Sequence, residues 1–88
     1  MAVNLSEKKL LNFYKAELLY ELHQASECIR LFEAKYGKTF EDFEKEVKNS
    51  PENFEAWDDY MEWKACVKAL NSLKKELKEI ESENNRVS

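Results

Sequence analysis

The sequence predicts an all-α protein: an antiparallel hairpin of two long helices with a short helix between them, associating into a dimeric helical bundle. Three observations point there. Gly and Pro each occur once in 88 residues, far too few for a turn-rich β fold. Apolar residues on both sides of the middle recur at alternating spacings of four and three, the pattern of helices packed along a seam. Charged residues make up 36% and apolar residues 43%, the balance of long amphipathic helices. A chain this short forms one domain, residues 1–88, with helices expected at about 6–36, 39–49 and 51–82. Two long helices alone have little depth of core, which favours self-association.

The first helix is expected to start at Ser6, whose hydroxyl suits an N-cap. No breaker follows before Tyr36. Leu11, Leu18, Ala25 and Phe32 repeat every seven residues, with Leu22, Ile29 and Tyr36 between them and Lys15 as the polar exception. A weaker stripe of Phe13, Tyr20 and Leu31 lies on the other side. It reads either as scattered surface apolars or as an oligomer interface.

Gly37 ends this helix as the residue just past its C-terminus, with Lys35 and Lys38 near the negative end of the dipole. Thr39 then caps a second helix, and Glu41 and Asp42 suit its first turn. Phe40, Phe43 and Val47 form its apolar stripe. About ten residues of helix are marginal alone, so this one must dock on a neighbour. Asn49–Glu52 is the only turn cluster. Ser50 as cap with Pro51 at the first helical position is one start for the third helix; Asn53 is another cap. The third seam runs Ala56, Trp63, Cys66, Leu70, Leu73, Leu77 and Ile80. Residues 83–88 are polar and are expected to fray.

The densest run of aromatic and acidic residues is FEAWDDYMEW, Phe54–Trp63. Phe54, Trp57, Tyr60 and Trp63 stand three apart, so each step turns back about 60° on a helix. Trp63 then points away from Phe54, and the helix needs two things to pack against at this level. One reading covers Phe54, Trp57, Met61 and Ala65 with the second helix. The other makes a partner-binding surface of Phe54, Glu55, Trp57, Asp58, Asp59, Met61 and Glu62, with Trp57 and Met61 as apolar anchors.

No catalytic constellation appears, so an enzyme is not expected. His23, the single histidine, lies off the seam among polar residues. There is no Glu-x-x-His pair, metalloprotease motif, Gly-rich phosphate loop or Cys/His metal spacing. Hence no cofactor, metal or small-molecule ligand is expected. Glu17 and Glu21 share a face and repel slightly. Residues 41–62 carry nine acids and two lysines, whereas 63–78 carry five lysines and one acid. One reading is a solvated helical surface, the other an acidic patch for a basic partner. A net charge of −4 argues against general nucleic-acid binding by the chain itself. No 18-residue apolar run predicts a membrane span, and no secretion signal is read at the N-terminus. Cys28 and Cys66, without CxxC spacing, suit buried free thiols in a reducing cytoplasm, and an interhelical disulfide is the alternative.

The string YGKTFEDFEKEVKN (Tyr36–Asn49) and the following NFEAWDDYMEWKACVKALNSLKKELKEI (Asn53–Ile80) resemble short helical proteins of archaea and bacteria, some of them antitoxin-like. The shared look is a Tyr-Gly break, an acidic Phe-x-x-Phe short helix, and an acid-and-Trp helix start running into a Leu-rich tail. The resemblance covers about half the chain. It implies neutralisation of a small toxin, often a basic RNA-cleaving protein, by covering its active site. Glu55, Asp58, Asp59 and Glu62 would then face basic groups. The sequence lacks the DNA-binding module that many antitoxins carry, so autorepression is not implied. A self-associating structural bundle and an adaptor subunit of an enzyme complex are the alternatives.

Overall fold

The structure, a computed structural model, describes the backbone of residues 2–87 and the side chains of residues 7–82. Three helices follow one another: α1 (Ala2–Tyr36), α2 (Phe40–Asn49) and α3 (Phe54–Val87). No strand occurs among the described residues. The two long helices run antiparallel in a body of 62 × 18 × 17 Å.

The ends of α1 and α3 differ from expectation. Ser6 lies inside α1, which begins at Ala2. Nothing in residues 2–5 breaks a helix, so the helix propagates back past a favourable cap. At the far end α3 continues beyond Ser82 to Val87.

The two junctions are built by their punctuating residues. Gly37 takes φ 65°, the left-handed conformation that glycine adopts without Cβ strain. Its N–H donates to the Glu33 carbonyl at 2.7 Å. The Thr39 hydroxyl accepts from the Asp42 N–H at 3.2 Å, capping α2 as its sequence position requires. At the second junction the choice between two caps falls to Asn53. Its side-chain oxygen accepts from the Ala56 N–H at 3.1 Å. Ser50 instead closes α2, donating its N–H to the Val47 carbonyl at 3.1 Å. Pro51 therefore sits in the turn and not in the first turn of α3.

Both predicted seams are buried or half-buried along their described length, Lys15 included. Beyond the turn end the core is thin: Leu18, Ala25 and Ile80 are its buried members among the described residues. The bulk lies at the turn end, where α2 docks. Trp63 has no exposed surface and is the hub. Its ring lies 5.6 Å from Phe32, 6.3 Å from Tyr36, 5.6 Å from Phe40 and 5.3 Å from Phe43, centroid to centroid. Offset and edge contacts at such distances are favourable beyond the area buried.

This hub corrects the expected placement of α2. The short helix does not cover Phe54, Met61 and Ala65, all of which stay exposed. It rests on Tyr60, Trp63 and Val67. The reason is geometric. Tyr60 and Val67 lie about 60° and 40° to one side of Trp63 on the helix. A third helix on that flank touches both long helices, whereas one opposite the seam would touch α3 alone. Tyr36 of α1 meets Phe43 of α2 with tilted rings, centroids 4.2 Å apart, closing the triangle.

The cysteines are the second correction. Cys28 and Cys66 form a disulfide, with Cα atoms 6.3 Å apart, and neither is a free thiol. The antiparallel register produces the pairing. Phe32 faces Trp63, and four residues back along α1 and three forward along α3 lie Cys28 and Cys66. Disulfides are rare in a reducing cytoplasm, so the argument for a cytoplasmic location from free thiols falls.

Candidate interaction surface

The acidic aromatic run divides into residues that hold the fold together and residues that do not. Asp59 belongs to the first group. Its carboxylate accepts from Lys35 Nζ at 2.6 Å and from the Tyr36 hydroxyl, tying the start of α3 to the end of α1. The bond from Lys35, then that from Tyr36, holds the Asp59 carboxyl below the usual range. The Lys35 amine is pushed up by the same bond. Burial, reinforced by Asp59, pushes the Tyr36 hydroxyl up. Asp59 is therefore already partnered within the chain.

Trp57 also belongs to the structural group. It is half-buried against the core and meets Tyr60 edge-on at 5.4 Å. Tyr60 was missing from the sequence-derived site and core alike, yet only 2% of it is exposed. Its hydroxyl donates to Glu44 Oε2 at 2.5 Å, fastening α2 to α3. That bond lowers the Glu44 carboxyl and raises the Tyr60 hydroxyl. The available signal was the pair Tyr60 and Val67, one heptad apart on one flank of Trp63.

Five of the seven proposed partner-binding residues remain at the surface: Phe54, Glu55, Asp58, Met61 and Glu62. Phe54 is 79% exposed and Met61 58%. Such side chains in water are the informative kind of exposure when they cluster. Glu55 lies 3.9 Å from Lys35, a loose and solvated contact. Phe54, Asp58 and Met61 follow one another at spacings of four and three along the outer side of α3. They form an apolar pair within an acidic surround, and α2 does not cover them.

The proposed oligomer residues on α1 are exposed as well. Phe13, Tyr20 and Leu31 are each about two-thirds exposed or more, and Leu10 joins them. Between α1 and α3, on the side away from α2, lies an open groove of about 600 Å³. Ala25, Ala65, Ala69 and Leu73 line it together with the polar Glu21, Gln24, Glu62 and Ser72. Among the described residues no group of three or more His, Cys, Asp or Glu side chains is arranged to hold a metal ion. No described helix is long and apolar enough to cross a membrane.

Fold and surface together define a small disulfide-closed helical hairpin, braced by a docked short helix, with single large apolar side chains exposed among charged ones. A scan against protein-family models and searches of curated proteins and of solved structures find no match to this chain.

Proposed function

We propose that this chain is a non-enzymatic protein–protein interaction module whose working surface is the outer face of α3 near the turn. The observation that carries the reading is the exposure of Phe54 and Met61 beside Glu55, Asp58 and Glu62. Large apolar anchors inside a charged surround are the usual make-up of a binding hot spot. The acidic rim favours a partner with basic groups, which speeds encounter and fixes orientation. In its sharpest form the module is an antitoxin-like inhibitor that covers the active site of a small basic, RNA-cleaving protein. The resemblance of Tyr36–Ile80 supports that form. A role as adaptor subunit would use the same surface. The outer stripe of α1 (Leu10, Phe13, Tyr20 and Leu31) favours a second reading, a self-associating bundle.

The test is affinity capture with the tagged, disulfide-bonded chain from its own host, with complexes weighed by native mass spectrometry. Phe54→Ala with Met61→Ala is the informative variant. Trp57 and Asp59 are unsuitable because both also make contacts within the fold. A stoichiometric basic protein should be captured by the parent and lost with the variant, while helical content by circular dichroism is unchanged. Full retention of the partner by the variant would show that the surface is misassigned. Dose-for-dose loss of the partner's RNA cleavage would establish inhibition.

A further inference from the structure

Two packed helices leave a groove on each side of their contact. In this chain α2 fills one of them, laying Phe40, Phe43 and Val47 inward and turning its charged side out. The other groove, of about 600 Å³, is open. Ala25 in its lining is buried, Cys66 and Leu73 are half-buried, and Ala65 and Ala69 are small and exposed. From Glu62 to Leu73 the groove follows α3 for roughly 16 Å, about three turns. The helix on the other side, α2, is ten residues long.

The charge of this groove has one sign. Glu21 of α1 and Glu62 of α3 stand one on each side, and no basic side chain lines it among the described residues. Glu17 and Asp58, both exposed, lie one turn before Glu21 and Glu62 on their helices. Past Leu73 the Tyr14 hydroxyl of α1 donates to Glu76 Oε2 of α3 at 2.6 Å, bridging the two helices. That bond, with the charges of Glu76, Glu21 and Glu17, pushes the Tyr14 hydroxyl up. Carboxylates of both helices therefore act at this end of the groove. The lysines on that side of α3, Lys68 and Lys75, stand about 40° and 60° further round than Ser72. At the turn end, Leu31 lies a heptad from Gln24 and Met61 one turn from Ala65. These two apolar side chains, 69% and 58% exposed, flank the groove from either helix.

We infer that this groove takes a helix of about three turns from a partner protein, apolar on one face and basic along both edges of that face. The inference rests on the reading of the chain as an interaction module and names the element its partner presents. A helix laid lengthwise here touches α1 and α3 together, as α2 does on the other side. The alanines leave room for side chains the size of Leu or Phe, which the groove buries. Lys or Arg along one edge of the incoming helix meets Glu21, and along the other edge Glu62, which fixes its seating. The same carboxylates repel an anionic membrane surface or a nucleic acid.

The test titrates the full-length disulfide-bonded chain into a labelled synthetic helical peptide, followed by fluorescence anisotropy at low and high salt. The peptide carries Leu and Ala on one face and Lys along both edges of it. Binding should saturate at one to one and weaken with salt. Glu21→Lys with Glu62→Lys should weaken it at least about tenfold. Ala65→Gln with Ala69→Gln, both at exposed positions, should do the same by filling the groove, with helical content by circular dichroism unchanged. Cys66 lines the groove, so bound peptide should also slow reduction of the Cys28–Cys66 bond by dithiothreitol, which depends on access to the sulfurs. A peptide of equal charge with Ser in place of Leu and Ala should bind at least about tenfold more weakly; equal binding would reduce the effect to bulk attraction and overturn the inference. Binding that neither pair of changes weakens and that leaves reduction unslowed would place the peptide elsewhere and overturn it too. If the peptide fails to bind, yet Phe54→Ala with Met61→Ala still strips a captured partner from the chain, the groove falls and the interaction surface stands. If the peptide fails and a captured partner is indifferent to those changes, both fall.

Discussion

At the residue scale the fold turns on Trp63. Its indole is buried under four aromatic rings, yet its Nε1–H has no hydrogen-bond partner among the described residues. The two facts pull in opposite directions. Burial of the ring stabilises; a buried donor left unmet costs about 1–3 kcal/mol. The balance can be tested by substitution. Trp63→Ala removes all four ring contacts and leaves a cavity, which should cost about 3–5 kcal/mol. Trp63→Phe leaves a smaller void and removes the unmet donor, so its cost should stay below about 2 kcal/mol. Urea unfolding with a constant slope would measure both. A cost for Trp63→Phe above that range would mean that the indole N–H is satisfied in solution. The residue was legible in the sequence as a seam member, but its role as hub was not. That role follows from α2 approaching the seam from the side, which no periodicity within α3 reveals.

At the element scale, two polar latches at the turn end join helices whose stripes are mostly apolar. Asp59 ties α3 to α1, and Glu44 ties α2 to α3 through Tyr60. Both carboxyls are held below their ordinary range. A depressed folded value means that the unfolded chain binds protons first as pH falls. The stabilisation is therefore whole above about pH 4–5 and is lost as pH falls through the depressed folded values. Tyr36, Tyr60 and Lys35 are raised. Their contribution is whole below about pH 10 and is lost above it, as the folded groups give up their protons. Thermal midpoints should thus form a plateau with an acid and an alkaline edge. Asp59→Asn should flatten part of the acid edge and leave most of the plateau in place. An acid edge unchanged by Asp59→Asn together with Glu44→Gln would show that the latches contribute nothing. The helices and both seams could be read from spacing alone, because periodicity and caps are local signals. The latches could not, since Lys35, Tyr36 and Asp59 meet only after the register of α1 against α3 is fixed. The same holds for the candidate site: exposed Phe54 and Met61 and structural Trp57 and Asp59 look alike in sequence. Only the seating of α2 and the Lys35–Tyr36 clasp separate them.

At the scale of the whole molecule, the disulfide sets how much of the fold rests on packing. Cys28 and Cys66 are 38 residues apart and enclose α2 with the aromatic head. Closing a loop of that length removes unfolded-state entropy worth at most about 4 kcal/mol in the chain-entropy model. Small domains are stable by only about 5–15 kcal/mol, so this is a large share for a chain with a thin distal core. The native contacts themselves change little when the bond opens, because the Trp63 cluster and both seams remain. Reduction, or Cys28→Ser with Cys66→Ser, should therefore lower the thermal midpoint by tens of degrees at most and leave native helical content in the cold. A thiol assay of the denatured protein would confirm that the bond is formed to begin with. If the oxidised and reduced chains melted together, the cross-link would be constraining nothing that packing does not already hold. If the reduced chain lost its helices outright, packing at the turn end would be weaker than its aromatic contacts indicate. Protein concentration separates the disulfide's share from that of association: a dimer's midpoint rises with concentration in both redox states, while the gap made by the cross-link stays fixed.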